Sequence, residues 1–192
     1  LFENHHRMRW QLFCLDALAG RLDALLAEPE APRAPLLVRR GLDVLNKVGR
    51  PGMAALVADA GLRRGEVNST AIGFRLGPRL NAEGRLEHAM LAYDLLTKMD
   101  GLETKSLAER LGELNRQRQK LTDETVAAAE AQVLAGDPEA RLYLVASPDF
   151  KPGIVGLAAG RLTEAYYRPS AVVEVGAEES RGSCRSIPEF HI

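Results

Sequence analysis

The feature that most constrains the fold is one long segment with helical periodicity, from about Thr104 to Leu134. Five apolar residues recur near one side of this segment: Leu107, Leu111, Leu114, Leu121 and Val133. At ~1.5 Å per residue such a helix spans roughly 45 Å, which is long for a single small domain. We therefore predict that residues 101–136 form a connector helix between two domains.

Residues 1–100 contain shorter helical patterns that are interrupted by proline and glycine. Helices are predicted over Arg7–Leu26, Leu36–Val48, Pro51–Ala60 and His88–Met99. Asn68, Ser69 and Thr70 offer N-caps for a further helix, which Gly77 and Pro78 are expected to end. The stretch from Gly77 to Arg85 is accordingly predicted to be a loop.

Residues 137–192 have a different pattern, with two short apolar runs on either side of a helical segment. The runs are Leu142–Ala146 and Ala171–Val175, and the helical segment is Gly153–Tyr167. Strand, helix and strand in this order predict a parallel α/β unit with a crossover helix. A last strand is predicted at about Gly182–Ser186. The whole chain is thus predicted to be of the α/β class.

Composition excludes some classes of protein and leaves others open. The formal net charge is −1, so a nucleic-acid partner would have to meet a local basic surface. The two cysteines, Cys14 and Cys184, are far apart and form no CxxC motif, which favours a reducing cytoplasm. No apolar run approaches the roughly 20 residues that span a bilayer, so no membrane association is expected. The ends of the sequence suggest an internal fragment of a longer protein.

The stretch GPRLNAEGRL, residues 77–86, places two arginines and an asparagine between glycines. Guanidinium groups on a stiff loop are suited to bidentate capture of phosphate oxygens, which makes Arg79, Asn81 and Arg85 candidate ligands of phosphate. The alternative is that the two arginines bind helix carbonyls or pair with neighbouring glutamates.

The stretch RGSCRSIPEFHI, residues 181–192, places hydroxyls, a guanidinium and an imidazole at the end of a strand. The donors of Ser183, Arg185, Ser186 and His191 could together hold a sugar-phosphate backbone. The period of two puts Ser183 and Arg185 on the same face of the strand. The alternative is that these residues only solvate an edge strand, with Arg185 paired to Glu189.

The order and spacing of several motifs resemble RecJ-type proteins of the DHH phosphoesterase superfamily. These motifs are LVRRGL (residues 37–42), GPRLNAEGRL (77–86), GIVGLAAGRL (153–162), YRP (167–169) and GSCRSIPEFHI (182–192). Two positions depart from the usual family pattern. Lys151 stands where a histidine is usual, and Cys184 stands where a glycine is commoner.

The resemblance implies a layout and a function. Residues 1–100 would be the C-terminal part of a DHH domain, 101–136 the connector helix, and 137–192 the start of a DHHA1 domain. The parent protein would be a 5′-to-3′ exonuclease specific for single-stranded DNA, acting in DNA repair and recombination. Its partners would include a single-strand-binding protein and a recombination helicase.

The resemblance also assigns roles to residues. Arg79, Asn81 and Arg85 match the loop of the DHH domain that faces DNA. Ser183, Arg185, Ser186 and His191 match the DHHA1 motif that holds the strand. Gly153 and Gly156 match glycines that let the start of a helix approach phosphate, as helix N-termini can.

The family hydrolyses phosphodiesters with two Mn²⁺ or Mg²⁺ ions, whose ligands are expected mostly upstream of this chain. Asp16 is the one candidate metal ligand here; alternatively it is a solvated residue on a polar helix face. The chain by itself is therefore expected to be inactive. Arg116 and Arg118, within the basic run of residues 115–120, either border the DNA path or solvate the helix.

Two other functions fit the same motifs less well. One is a phosphodiesterase of the same superfamily that acts on short oligonucleotides or dinucleotides. The motif GSCRS argues against it, because such relatives have a glycine-rich, histidine-containing motif there. The other is a replication-scaffold relative that binds DNA or partners but has lost its metals.

Overall fold

The computed structural model describes residues 33–47, 49–86, 90–137 and 139–190. Its helices are α1 (Arg33–Lys47), α2 (Pro51–Asp59), α3 (Ser69–Ala71), α4 (Gly77–Leu80), α5 (Glu83–Leu86), α6 (Met90–Thr97), α7 (Gly101–Ala135) and α8 (Pro152–Tyr166). Its strands are β1 (Tyr143–Ser147), β2 (Ser170–Glu174) and β3 (Arg181–Arg185). The predicted α/β fold class is confirmed. None of the described helices is long and apolar enough to cross a membrane.

The described chain divides into two compact units. One contains the described residues up to Pro78 together with Tyr93–Glu109, and the other contains Arg79–Ala92 and the residues from Arg110 onward. Helix α7 therefore contributes its first nine residues to one unit and the rest to the other. The assignment of residues 1–100, 101–136 and 137–192 to DHH domain, connector and DHHA1 domain stays a prediction.

The first unit is helical. Its short elements are held together by a side chain that binds backbone groups and by the close approach of a glycine to a backbone carbonyl. The side chain of Asn46 on α1 donates to the Val67 carbonyl at 2.8 Å and accepts from the Val67 amide at 2.9 Å. A Cβ atom on Gly52 would lie 1.7 Å from the Leu95 carbonyl oxygen, so only glycine permits this close packing of α2. Leu56 and Leu95 are fully buried in this unit.

The prediction that Gly77–Arg85 is a loop was wrong. Asn68 caps α3 as predicted, because its side-chain oxygen accepts from the Ala71 amide at 2.8 Å. The helix then continues as a π-helical segment, Ile72–Leu76, in which the Gly77 amide donates to the Ile72 carbonyl. This shift in hydrogen-bond register places Pro78 in the first turn of α4, where a residue without an amide hydrogen is tolerated. Only residues 81 and 82 form a turn before α5 begins.

The second unit is built on a three-stranded sheet with the order β1-β2-β3. Strands β1 and β2 are parallel, as predicted, with α8 connecting them, and β3 runs antiparallel to β2. The core of the unit lies where α8 packs on the sheet and on the second half of α7. Its buried residues are Ala129, Val133, Tyr143, Val145, Phe150, Val155, Ala158, Ala159, Leu162 and Val172.

The register of β3 determines which of its side chains face α8. Ser183 lies opposite Val172 and Arg185 lies opposite Ser170 on β2. Because side chains alternate along a strand, Ser183 and Arg185 share one face. That face is the one toward α8, since both side chains approach Gly156. The packing of α8 on the sheet thus brings the start of this helix beside the polar end of β3.

Candidate functional site

Helix α8 begins against the backbone of α5. Lys151 is its extended N-cap residue, Pro152 is in its first turn, and Phe150 is buried just before it. A Cβ atom on Gly153 would lie 2.0 Å from the Arg85 carbonyl oxygen, so a glycine is required for this approach. The Arg85 guanidinium is exposed and donates to the Gly153 carbonyl at 3.4 Å. The packing therefore holds an arginine beside the first turn of α8.

One turn further along α8, Gly156 faces the polar side chains of β3. A Cβ atom at this position would lie 3.2 Å from Ser183 Oγ and 3.4 Å from Arg185 Nη2. The missing side chain thus lets a hydroxyl and a guanidinium approach the helix closely. We call Gly156, Ser183 and Arg185 the glycine cradle.

The Arg185 side chain is held in place by its own strand. Its Nη1 atom donates to Ser183 Oγ at 3.0 Å and to the Cys184 carbonyl at 2.8 Å. Cys184 itself is an exposed free thiol. This pair of bonds fixes the plane of the guanidinium while Nη2 faces Gly156. Planar guanidinium groups held in this way can bind two phosphate oxygens at once.

The alternative pairing of Arg185 with Glu189 is not the one that forms. The Tyr167 hydroxyl donates to both carboxylate oxygens of Glu189, at 2.9 and 3.0 Å. This hydrogen bond raises the pKa of Tyr167 above its ordinary value. Tyr167 has a left-handed backbone, with φ of 48°, at the end of α8. The Tyr167–Glu189 bond therefore anchors the segment after β3.

The remaining predicted residues of this motif are only partly described. Ser186 is exposed, and its hydroxyl donates to the Phe190 carbonyl, so it stabilises the turn after β3. His191 and the candidate metal ligand Asp16 lie outside the described residues. Their predicted roles stay predictions.

The other candidates lie on the α4–α5 segment. Arg79 is half-buried in the last turn of α4, and Asn81 is exposed in the turn that follows. Glu83, only 4% exposed, accepts from the Leu91 amide at 2.8 Å, so it holds α5 against the first turn of α6. Arg85 is the member of this segment that the structure places beside α8.

Helix α7 contributes two buried or half-buried polar residues: Asn115, which the sequence interpretation did not weigh individually, and Arg118, which it left undecided. Asn115 is 4% exposed, and its side-chain oxygen has no hydrogen-bond partner. Arg118 is half-buried, and its Nε atom is likewise buried without a partner. Both continue the buried stripe of Leu111 and Leu114 at helical spacing. Polar residues within an apolar stripe were the signal that could have identified them.

The structure also distinguishes Arg116 from Arg118, the two arginines of the basic run 115–120 that the sequence left undecided. Arg116 is exposed and forms an ion pair with Glu113 at 2.8 Å, which lowers the pKa of that carboxyl group. Burial lowers the pKa of Arg118, and the nearby guanidinium groups of Arg85 and Arg161 lower it further. Arg116 is therefore a solvated residue on the exposed face of α7, whereas Arg118 lies near other positive charges.

Among the described residues, no group of three or more histidine, cysteine, aspartate or glutamate side chains could hold a metal ion. The part of the chain that the structure describes therefore does not fit a divalent metal centre. Its chemistry is that of hydrogen-bond donors and positive charge, which suits an anionic ligand.

Fold and geometry together define an α/β segment in which a crossover helix and a strand share a surface lined by glycine and arginine. The chain matches no protein-family profile. It is 37% identical over 163 residues to the single-stranded-DNA-specific exonuclease RecJ of Bacillus subtilis. The matched region covers 82% of this chain and 20% of that protein. It is 30% identical over 188 residues to the RecJ of Dickeya dadantii. This matched region covers 91% of this chain and 32% of that protein.

Solved structures show the same similarity in three dimensions. RecJ from Thermus thermophilus in complex with Mg²⁺ matches with a TM-score of 0.70 at 27% identity, covering 90% of this chain and 26% of that one. An exonuclease RecJ bound to manganese matches with a TM-score of 0.66 at 28% identity, covering 81% of this chain and 38% of that one. The predicted resemblance to RecJ-type exonucleases is confirmed. The chain spans between a fifth and a third of the length of these two curated relatives.

Proposed function

We propose that this chain is part of a RecJ-type exonuclease specific for single-stranded DNA, and that the glycine cradle holds the sugar-phosphate backbone of the strand. The observation that carries the proposal is the convergence of Ser183 and Arg185 over Gly156. A hydroxyl and a fixed guanidinium that converge beside a position without a side chain supply donors for phosphate oxygens.

The surroundings of the cradle support the same ligand. Arg85 on α5 lies beside Gly153 in the first turn of the same helix. Gly153 precedes Gly156 by three residues along α8. The positive end of the α8 dipole adds to the charge of this guanidinium. Contacts of this kind recognise phosphate rather than base, so they give affinity without sequence preference. That property is what an exonuclease advancing along any sequence requires.

The Mg²⁺ and Mn²⁺ of the related structures suggest a metal-dependent parent enzyme. Such ions, when bound, lower the pKa of a water molecule and neutralise charge on the phosphate that is cleaved. The described residues do not fit this centre, so we assign its ligands to other parts of the protein. Asp16 remains a candidate for one of them. The role of the described residues is to bind and orient the strand.

The finer attributes also remain proposals. They are 5′-to-3′ polarity, a role in DNA repair and recombination, a cytoplasmic location, and association with a single-strand-binding protein and a recombination helicase. A sugar-phosphate backbone is the ligand for which the cradle supplies a physical reason, and its identity as single-stranded DNA depends on the similarity to RecJ. The other attributes depend on the similarity to RecJ.

The proposal is tested by replacing the matching segment of the Bacillus subtilis RecJ with this chain. The chimera should degrade 5′-labelled single-stranded DNA in the presence of Mn²⁺, and this chain alone should not. Arg185→Ala in the chimera should abolish degradation, because the strand is no longer held in register. Circular dichroism of each chimera serves as the folding control. A folded chimera that leaves the DNA intact would contradict the proposal.

A further inference from the structure

The carboxylate of Glu189 is the group of this chain that would compete with phosphate for Arg185. It is the only carboxylate within five residues of Arg185 in the sequence. Four residues of chain span at most about 14 Å, and two long side chains can bridge much of that distance. A guanidinium paired with a carboxylate presents little net charge to DNA. A phosphate contact at Arg185 therefore requires that Glu189 be held elsewhere.

The structure shows Arg185 bound to uncharged groups. Its Nη1 atom donates to Ser183 Oγ at 3.0 Å and to the Cys184 carbonyl at 2.8 Å. Both acceptors are neutral, so these bonds orient the guanidinium without neutralising it. The positive charge of Arg185 is thereby kept for an anionic ligand.

Glu189 is held instead by Tyr167, whose hydroxyl lies 2.9 and 3.0 Å from the two carboxylate oxygens. Both residues are exposed, so water could satisfy their polar groups and the bond is not required by burial. Tyr167 follows the last residue of α8 with a left-handed backbone, φ 48°. Glycine is the usual residue at such a helix end, because a side chain there is sterically costly. A tyrosine at this position indicates a use for its side chain.

We propose that Tyr167 is a positioning residue of the glycine cradle, which holds Glu189 away from Arg185 and so keeps the guanidinium available to phosphate. Without the Tyr167 hydroxyl, Glu189 pairs with Arg185 and competes with the DNA backbone. This inference rests on the proposed function, because only a bound phosphate makes that competition matter. Exposed ion pairs are weak, so the competition lowers affinity a few-fold rather than abolishing binding.

A purely structural role for the Tyr167–Glu189 bond is the competing explanation, in which the bond only fastens the turn after β3. That turn has fastenings of its own. The Ser186 hydroxyl donates to the Phe190 carbonyl, and the Phe190 amide donates to the Ile187 carbonyl at 3.1 Å. If a loosened turn were the cause of weaker DNA binding, removing the charge of Glu189 as well could not restore it. The two explanations therefore differ in the double variant.

The test is a double-mutant cycle in this chain, with affinities from fluorescence anisotropy of labelled oligo(dT) at low salt. Tyr167→Phe should weaken binding about two- to fivefold, the range expected for a competing exposed ion pair. Tyr167→Phe combined with Glu189→Gln should bind as well as Glu189→Gln alone, because the competing charge is gone. Glu178→Gln, an exposed position between β2 and β3, is the matched control for net charge. Wild-type binding by Tyr167→Phe, or a double variant as weak as Tyr167→Phe, would overturn the proposal.

NMR of the ¹⁵N-labelled chain without DNA distinguishes failure of this proposal from failure of the proposed function. The Arg185 Nε–H signal, assigned with Arg185→Lys, should shift in Tyr167→Phe and return in the double variant. If it does so while Arg185→Ala binds oligo(dT) as well as the wild type, the control of Arg185 by Tyr167 stands and the cradle fails. An Arg185 signal that does not move, or a shift that persists in the double variant, overturns the role of Tyr167. Weak binding by Arg185→Ala would in that case leave the proposed function standing.

Discussion

Replacing Gly156 with alanine should separate the stability of the chain from its affinity for DNA. Gly156 lies within α8, where alanine is favoured over glycine by about 0.8–1.0 kcal/mol. The added Cβ atom would lie 3.2 Å from Ser183 Oγ and 3.4 Å from Arg185 Nη2. Both neighbours are side-chain tips, so they can move by a few tenths of an ångström at little cost. We therefore expect the free energy of unfolding to be unchanged or raised by up to about 1 kcal/mol.

The same small movement should weaken DNA binding. A hydrogen bond to a charged group contributes about 1.5–3 kcal/mol, and its strength depends on distance and angle. If the displacement costs about half of one such bond, the loss of roughly 0.75–1.5 kcal/mol raises the dissociation constant about four- to twelvefold. The methyl group also occupies the space that a phosphate oxygen would approach.

Gly160→Ala is the matched control, one turn further along the same helix. A Cβ atom there meets nothing within 4 Å, so this variant should gain stability without losing affinity. Its melting temperature should rise by about 2–4 °C for a chain of this size. Fluorescence anisotropy with labelled oligo(dT) gives the affinities, and denaturant unfolding gives the stabilities. Equal affinity of the two variants and the wild type would refute the assignment of Gly156 to a phosphate-binding surface.

The remaining predictions concern neighbouring contacts. Gly153→Ala should destabilise the chain by about 1–3 kcal/mol in denaturant unfolding, because its Cβ atom would meet the Arg85 backbone at 2.0 Å; wild-type stability would contradict the packing. Arg185→Lys should bind oligo(dT) nearly as well as the wild type at low salt because it keeps the charge, whereas Arg185→Ala should bind weakly and with a smaller salt dependence; wild-type binding by Arg185→Ala would exclude a phosphate contact at this residue. Glu189→Gln should lower the raised pKa of Tyr167 toward the ordinary value of about 10, as followed by ultraviolet titration against Tyr167→Phe. The wild-type Tyr167–Glu189 bond should persist below that ordinary pKa and break as the pH rises through the raised one, so an unshifted titration would contradict it.

Local patterns in the sequence predicted the α/β unit well. The apolar runs and the helical segment between them have the length and order of the observed β1, α8 and β2. The periodic segment likewise predicted α7, which the structure extends to Gly101–Ala135. These elements could be predicted because burial on one face imposes a period that is visible in the sequence.

The α4–α5 segment could not be predicted in this way. Gly77 and Pro78 are ordinarily residues that end a helix, and a π-helical turn is too rare to be assumed. The burial of Asn115 and Arg118 was also not predicted, because a polar residue on a long helix is usually solvated; Arg118 was left undecided between a solvated residue and one that borders the DNA path. The apolar stripe of Leu111 and Leu114 is only a weak signal, because the extent of burial of the two polar residues depends on what packs against α7.

The central claim is that the glycine cradle binds the backbone of single-stranded DNA. The most direct measurement is a crystal structure of this chain with a short 5′-phosphorylated oligo(dT). We expect one phosphate to have oxygens within about 3 Å of Ser183 Oγ and of the Arg185 guanidinium, close to the Gly156 Cα atom. An ordered strand bound elsewhere on the chain, with the Ser183–Arg185 hydrogen bond unchanged and no phosphate beside it, would contradict the claim.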